Sequence, residues 1–249
     1  MKAIILAAGE GSRMGKLTQN IPKPLVKVNG KSIVERQLSI LKQNEILDVI
    51  IITGPHNKKF NFEKIRYIPD ENFREHDQLD SLMSAKKEID GDIIILYADT
   101  IFEDMILAKI LESKSDISIA VDMDWERTYV SRTDNSFAEA DKVRFEKGSV
   151  SRIFKTMTEE DKKFEIGEFI GLMKLSKNGS KQLVDCYEKI QNIHKGKFHD
   201  ALSLKKAKLV DLLQELIENK IKIDAIPITG EWCEIDTEED LEIAKKFVG

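Results

Sequence analysis

Four short stretches, Ala3–Ala8, Val49–Thr53, Ile93–Ala98 and Ile117–Val121, are apolar at nearly every position. A strand with one wet face alternates apolar and polar residues, so runs like these belong to strands buried on both faces. Helical patterns lie between them. Ser32-Ile33-Val34-Glu35 has the spacing of a capping box, and Val34, Leu38 and Leu41 then form one apolar face. Asp80 is placed to cap a helix carrying Leu82, Ala85 and Ile89, and Asp104 to open another carrying Leu107 and Leu111. Strand–helix–strand order predicts right-handed crossovers onto a parallel sheet covered on both faces, an α/β architecture.

The second half has a different texture. Lys142–Phe145, Ser149–Thr156 and Glu168–Leu175 are expected as strands of mixed pairing, with a turn at Lys147-Gly148. Helices are expected near Lys177–Ile193 and Leu204–Asn219, then strands at Ile221–Ile228 and Glu231–Ile235. Thr237 caps a closing helix that carries Leu241, Ala244 and Val248. No linker, repeat or low-complexity segment interrupts the 249 residues. One domain, 1–249, is therefore expected, with a helical elaboration over 177–219.

Composition narrows the function classes. Lys and Arg total 39 and Asp and Glu 44, a net charge of −5, so no basic excess favours nucleic acid as a partner. Hydrophobic residues make up 41% and there are only five prolines, which argues against disorder. No apolar run approaches the roughly 20 residues of a membrane span. The apolar start is too short for a signal peptide, and Arg13 and Lys16 follow it closely. Cys186 and Cys233 form no CxxC and no zinc-like cluster, so reduced thiols and a cytoplasmic setting are expected.

The strongest local signal is Leu6-Ala7-Ala8-Gly9-Glu10-Gly11-Ser12-Arg13-Met14. A buried strand ends there, and glycines allow a tight turn whose backbone N–H groups can cradle an anion. It is not a P-loop, because GxxxxGK[ST] is absent. It is not a dinucleotide fingerprint, because the third glycine is Gly15. Pro22-Lys23-Pro24 follows, where two prolines hold the chain extended around one lysine. Such a lysine is well placed to aim an ammonium at phosphate.

Two carboxylates stand apart. Asp99 ends the apolar strand that starts at Ile93, and ligands of open α/β sheets bind at the carboxyl ends of strands. A turn-forming role would account for it equally well. Asp236 lies in Trp232-Cys233-Glu234-Ile235-Asp236-Thr237, where helix capping is the competing explanation. Glu234 and Asp236 point to the same side of a strand. His56, His76, His194 and His199 have no spacing that demands catalysis or metal binding, and exposed loop positions are expected.

AAGxGSRM followed by PKP resembles the nucleotidyltransferases that join an NTP to a sugar phosphate, phosphocholine or phosphonate and release pyrophosphate. The resemblance implies a Rossmann-like three-layer α/β/α fold of the GT-A type, with a mixed, mainly parallel sheet. It implies a nucleotide-binding half over 1–115 and an acceptor-binding half over 116–249. Leu6, Ala7, Ala8, Gly9 and Gly11 would line the nucleotide, and Arg13 and Lys23 would hold and polarise its phosphates. Asp99 and Asp236 would share one Mg²⁺, with Glu234 as a further candidate for the metal or the acceptor. Gln78 and Ser81, at a helix start, are candidates for contacts to the base or nucleotide.

Several later stretches are similar to the cytidylyltransferases of phosphonate and phosphocholine metabolism, including those associated with phosphoenolpyruvate phosphomutase. They are Val121–Tyr129 with Arg132-Thr133-Asp134, Ala138–Val143, Gly167–Leu172, Leu212–Ile217 and Glu231–Asp240. The resemblance implies CTP as donor and a small phosphonate or phosphorylated acceptor, 2-aminoethylphosphonate- or phosphocholine-like. Arg132, Lys142 and Lys155 are candidates for the acceptor's anionic group, with Lys155 preferred. Trp125 could offer an aromatic face to an ammonium, and Glu168 or Glu234 a carboxylate. A sugar-1-phosphate transferase using UTP, dTTP or GTP is the alternative in the same class, and a non-catalytic nucleotide sensor the alternative outside it. The helices over 177–219 leave open a lid or a homodimer surface.

Overall fold

The strands are β1 (Lys2–Ala7), β2 (Lys27–Val28), β3 (Lys31–Ser32), β4 (Asp48–Thr53), β5 (Arg66–Pro69), β6 (Ile93–Tyr97) and β7 (Thr100–Phe102) in the first half. They are followed by β8 (Ile117–Asp122), β9 (Lys142–Glu146), β10 (Ser149–Phe154), β11 (Glu165–Leu175), β12 (Asp224–Ile228) and β13 (Trp232–Glu234). The helices are α1 (Ile33–Gln43), α2 (Gln78–Ser84), α3 (Asp104–Leu111), α4 (Glu126–Tyr129), α5 (Lys177–Ile193), α6 (Leu209–Glu218) and α7 (Glu238–Phe247). The computed structural model describes residues 1–130, 132–134 and 136–248.

Nine strands form the main sheet in the order β5-β4-β1-β6-β11-β8-β12-β10-β9, and β9 also pairs with β11. β5, β4, β1 and β6 are mutually parallel. β11 runs antiparallel to both β6 and β8, and β12 returns parallel to β8. β10 and β9 are added by antiparallel pairing. The sheet is thus mixed, with its parallel half in the first part of the chain.

Alternation along β1 explains the layering. Ile4, Leu6 and Ala8 enter one core, while Ala3, Ile5 and Ala7 enter the other. The first core is closed by α2, α5 and α6, through Leu79, Leu82, Leu183, Ile190, Leu212 and Leu216. The second is closed by α1 and α3, through Val34, Leu41, Ile106, Leu107 and Ile110. The result is three layers, α/β/α. The buried faces of α5 and α6 lie in the first core, so this helical segment packs on the sheet. No described helix is long and apolar enough to cross a membrane.

Local chemistry sets the element ends. Ser32 accepts from Glu35 N while Glu35 reaches back to Ser32 N, completing the expected capping box. Thr237 and Asp240 do the same for α7. Two expectations need correction. The cap of α2 is Asp77, which accepts from Gln78 N at 2.7 Å, whereas Asp80 accepts from the Tyr187 hydroxyl at 2.7 Å. α6 begins at Leu209 rather than Leu204, because the Asp211 carboxylate takes Lys208 N at 2.7 Å and Asp200 N at 3.1 Å. That carboxylate ties the cap residue Lys208 to the loop at Asp200, and the first N–H of the helix, on Leu209, donates to Gln78 Oε1 at 3.0 Å.

Candidate active site

At the carboxyl ends of β1 and β6 lies a cleft of about 500 Å³. Leu6, Ala7, Ala8, Gly9 and Gly11 form one wall. Gly11 has φ +65°, and a Cβ there would lie 2.9 Å from Lys23 Cβ and 3.2 Å from Thr18 Cγ2. Only glycine lets the turn close down on the lysine stem. Thr18 Oγ1 donates to Gly11 O at 2.7 Å and holds the turn shut. Pro22 and Pro24 flank Lys23 at a short 3-10 turn, with Pro24 buried.

The second wall comes from a two-stranded ribbon. β7 and β13 pair antiparallel, with Glu234 opposite Thr100 and Cys233 opposite Ile101. Ile235 N then donates to Asp99 O at 2.9 Å. This pairing brings the β6–β7 turn beside the segment that follows β13, so Asp99 and Asp236 share a site. A buried side chain on α1 holds that turn: Gln37 Nε2 donates to Tyr97 O and Thr100 O, both at 2.8 Å.

Lys23 Nζ joins the walls. It donates to Asp99 Oδ2 and Asp236 Oδ1, each at 2.7 Å. Arg13 donates to the other oxygen, Asp236 Oδ2, also at 2.7 Å. Burial alone would lower the pKa of Lys23, but Asp99 and Asp236 outweigh it and raise it above the usual lysine range. Burial would raise that of Asp236, but Lys23 and Arg13 hold it below the usual carboxylate range. Glu234 differs. Burial, then Asp236 and Asp99, push its carboxyl well above the usual range. Glu234 is thus driven towards its neutral form, while Lys23 and Arg13 offset the charge of Asp99 and Asp236.

Oxygens of Asp99, Glu234 and Asp236 lie within 4.8 Å of one another. Asp99 Oδ1 is buried and has no hydrogen-bond partner among the described residues. Three hard oxygen donors, one of them unpaired, fit a small divalent cation such as Mg²⁺.

Gln78 and Ser81 also line the cleft. Gln78 Oε1 accepts from Leu209 N at 3.0 Å, which ties α2 to α6. Ser81 Oγ donates to buried Asp70, whose other oxygen lies 3.1 Å from His76 Nε2. His76 thus borders the cleft, half-buried, rather than standing in an open loop. Lys155 and Glu168 also line the cleft. Lys155 Nζ lies 2.6 Å from Asp141 Oδ1 and also donates to Glu139 O. Burial would lower its pKa, but Asp141 raises it above the usual range.

Two expected acceptor contacts are corrected. Trp125 is 2% exposed and packs on Phe137 and Tyr129, outside the cleft lining. Arg132 is turned to Asp240, 3.1 Å away, and its guanidinium donates to Glu234 O at 3.3 Å. Lys142, ranked with Arg132 below Lys155 for the anion, is buried and donates to the carbonyls of Phe137 and Lys155, both at 2.9 Å. Residue type alone makes each a candidate; Trp125 and Lys142 are held by neighbours, and Arg132 lies beside Asp240 with Nε and Nη1 lacking a hydrogen-bond partner among the described residues. Sequence reasoning also misses Tyr97, Glu139, Asp141, Lys208 and Trp232, which line the cleft. Tyr97 carries a signal, because it ends β6 two residues before Asp99. Lys208 carries none.

A glycine turn facing two carboxylates bridged by one lysine, on a three-layer α/β scaffold, defines a nucleotidyltransferase. The chain belongs to the MobA-like NTP transferase domain family, whose profile matches residues 3–160. It is similar to the CTP:phosphoglutamine cytidylyltransferase of Campylobacter jejuni, 28% identical over 98% of each chain. It is also similar to the choline-phosphate cytidylyltransferase of Streptococcus pneumoniae, 37% identical over 42% of this chain and 48% of that one. The solved CTP:phosphocholine cytidylyltransferase from Streptococcus pneumoniae superposes with a TM-score of 0.78 at 20% identity, covering 100% of this chain and 99% of that one. That last likeness supports the fold.

Proposed function

We propose that this chain is a Mg²⁺-dependent cytidylyltransferase that moves CMP from CTP to a small phosphorylated or phosphonylated acceptor and releases pyrophosphate. The observation that carries it is the Arg13–Asp236–Lys23–Asp99 constellation facing the Gly9–Gly11 turn. The cytidylyl relatives support the choice of nucleotide and of a phosphorylated acceptor.

An acceptor oxygen attacks the α-phosphorus of CTP, the new P–O bond forms, and the bond to the β-phosphate oxygen breaks. The electron pair leaves with pyrophosphate. No covalent intermediate on the protein is needed, so the residues align the reactants and neutralise charge. Backbone N–H groups of the glycine turn cradle the triphosphate. Lys23, protonated at any physiological pH, swings its ammonium to phosphate oxygens when they arrive. Arg13 is half-exposed and is free to follow a leaving pyrophosphate. Asp99, Asp236 and Glu234 would hold Mg²⁺. When bound, the ion supplies a Lewis acid for the phosphate oxygens. Lys155 lies at the acceptor end, where an ammonium can steer the attacking oxygen.

The test is pyrophosphate release from CTP, UTP, ATP, GTP and dTTP, each with small phosphate and phosphonate esters and with sugar 1-phosphates. CTP with a small acceptor is expected to give the highest kcat/KM. UTP or dTTP with a sugar 1-phosphate outperforming every CTP pair would overturn the proposal.

A further inference from the structure

Asp70 is a buried carboxylate that the transfer chemistry leaves unused. It follows β5, and its N–H donates to Thr53 O, at the end of β4, at 2.8 Å. In the sheet order β5-β4-β1-β6-β11, the glycine turn follows β1 and Asp99 follows β6. Glu168, on β11, lies beyond β6, and Asp70 lies on the opposite flank of the turn. A triphosphate held between the turn and the carboxylates, with the acceptor on the β11 side, leaves this flank for the base. His76, Gln78 and Ser81 line the cleft there.

The hydrogens around Asp70 can be counted. Its Oδ1 lies 3.1 Å from His76 Nε2 and accepts from Asn72 N at 3.2 Å. His76 Nδ1 lies 3.1 Å from Asp77 O, a carbonyl that can only accept, so Nδ1 carries a hydrogen. Two lone pairs do not meet at hydrogen-bond distance, so a second proton lies between Nε2 and Oδ1. Whichever of the two atoms holds that proton, Oδ2 holds none. Ser81 Oγ, 2.7 Å from Oδ2, therefore donates its only hydrogen to it. What Ser81 has left for the cleft is an oxygen that can only accept.

Gln78, one turn earlier on α2, is fixed in the opposite sense. Leu209 N is a donor, so the atom facing it at 3.0 Å is the amide oxygen, and N–H groups are what Gln78 can offer a ligand. The flank thus presents one acceptor and one donor. The edge of cytosine carries an amino donor at N4 beside an acceptor at N3. Uracil carries the reverse, an acceptor at O4 beside an N–H at N3.

We propose that Asp70 and His76 are positioning residues for nucleotide choice: they lock the Ser81 hydroxyl as an acceptor and so select a base with an amino group at that edge, cytosine over uracil. The proposal rests on the cytidylyl-transfer reading above and names what enforces its choice of nucleotide. A uracil carbonyl could be met only by turning the Ser81 hydrogen away from Asp70, which strips a buried carboxyl oxygen of its donor.

Equilibrium binding of CTP and UTP in Mg²⁺ tests this without an acceptor. The wild type is expected to bind CTP about 10–100-fold more tightly, the cost of one buried acceptor left unpaired. Asp70→Asn makes the sharper prediction. Asn72 N, which can only donate, keeps the new amide oxygen at the Oδ1 position, so the amide nitrogen faces Ser81 and donates to it. The Ser81 hydrogen is then free to point into the cleft, and the CTP preference should fall about tenfold or more through a gain in UTP binding. A variant that merely loosened the fold would weaken both nucleotides alike and keep the ratio. Ser81→Ala, a smaller change, should also lower the ratio, and it serves should Asp70→Asn fold poorly. An unchanged ratio in either folded variant would overturn the proposal while leaving cytidylyl transfer in place. So would wild-type protein that binds the two nucleotides equally yet turns over only CTP. Tighter binding of UTP than of CTP by the wild type, with turnover of UTP alone, would overturn both readings.

Discussion

Lys23 and Asp236, 213 positions apart, are joined by a 2.7 Å hydrogen bond, and the same ammonium reaches Asp99. One lysine therefore closes the contact between the glycine-turn wall and the carboxylate wall. Lys23→Met should lower kcat for pyrophosphate release by about 10²–10³-fold, the usual cost of removing one fixed group that stabilises charge in the transition state. It also leaves Asp99, Glu234 and Asp236 facing one another without their shared cation. Mg²⁺ should then raise the melting temperature of Lys23→Met more than that of the wild type. A smaller shift in the variant would mean that the carboxylates do not gather the metal.

Metal dependence gives a separate check. Chelation should abolish turnover, and added Mg²⁺ should restore it. Asp99→Asn removes a carboxylate whose Oδ1 is buried and unpaired among the described residues. It should raise the Mg²⁺ concentration for half-maximal rate by about tenfold or more, as even outer partners of metal ligands cost that much. Full activity in the chelated enzyme would end the metal assignment.

Stability should depend on pH through Glu168. Its carboxyl lies near 7 in the folded chain and near 4.5 when free, because burial disfavours the charged form. The folded state holds the proton that the unfolded state has lost between these values, so stability falls as pH rises from about 4.5 to 7. At 1.36 kcal/mol per pKa unit the loss is about 3 kcal/mol. Denaturant melts at pH 5 and pH 8 measure it. Glu168→Gln should flatten this slope and be more stable than the wild type, relative to pH 5, at the alkaline end.

The parallel half of the fold is legible in the sequence because strands buried on both faces advertise themselves as unbroken apolar runs. The short ribbon of β7 and β13 is not legible as a pair, since three-residue strands have no periodicity to read. Yet that ribbon brings Asp99 to Asp236. Resemblance supplies the pair, and the residues alone leave capping open. Asp236 in fact precedes a cap made by Thr237 and Asp240, so α7 starts without using its side chain. Trp125 and Arg132 illustrate the converse failure. Residue type suggests a ligand, but burial against Phe137 and pairing with Asp240 have claimed both. A sequence names what a side chain could do, and packing decides what is left free to do it.

Gly11→Ala tests the turn. The added methyl would sit 2.9 Å from Lys23 Cβ at φ +65°, so both the backbone and the lysine must shift. Backbone strain of this kind costs about 1–2 kcal/mol. The KM for CTP should rise and kcat should fall together, because the turn and the lysine move as one. Gly9→Ala is the matched control: nothing lies within 4 Å of the place its methyl would take, so the fold should tolerate it. Calorimetric titration with CTP separates the binding effect from turnover.

Gln37 tests whether the carboxylates are positioned from behind. It occupies the apolar stripe of α1 beside Val34 and Leu41, the one polar residue among those buried on that helix. Its amide holds Tyr97 O and Thr100 O on either side of Asp99. Gln37→Leu keeps the volume and removes the donors. The buried Thr100 carbonyl loses this partner, at a cost of about 1–3 kcal/mol, which should appear as a lower melting temperature. A displacement of Asp99 by about 1 Å is enough to cost 10²-fold in rate, so kcat should drop although Gln37 lies outside the cleft lining. The informative readout is Mg²⁺ dependence. If Gln37 acts only on stability, the half-maximal Mg²⁺ concentration measured well below the melting point will match the wild type. If it positions Asp99, that concentration will rise as it does in Asp99→Asn, and the two substitutions combined will cost little more than Asp99→Asn alone.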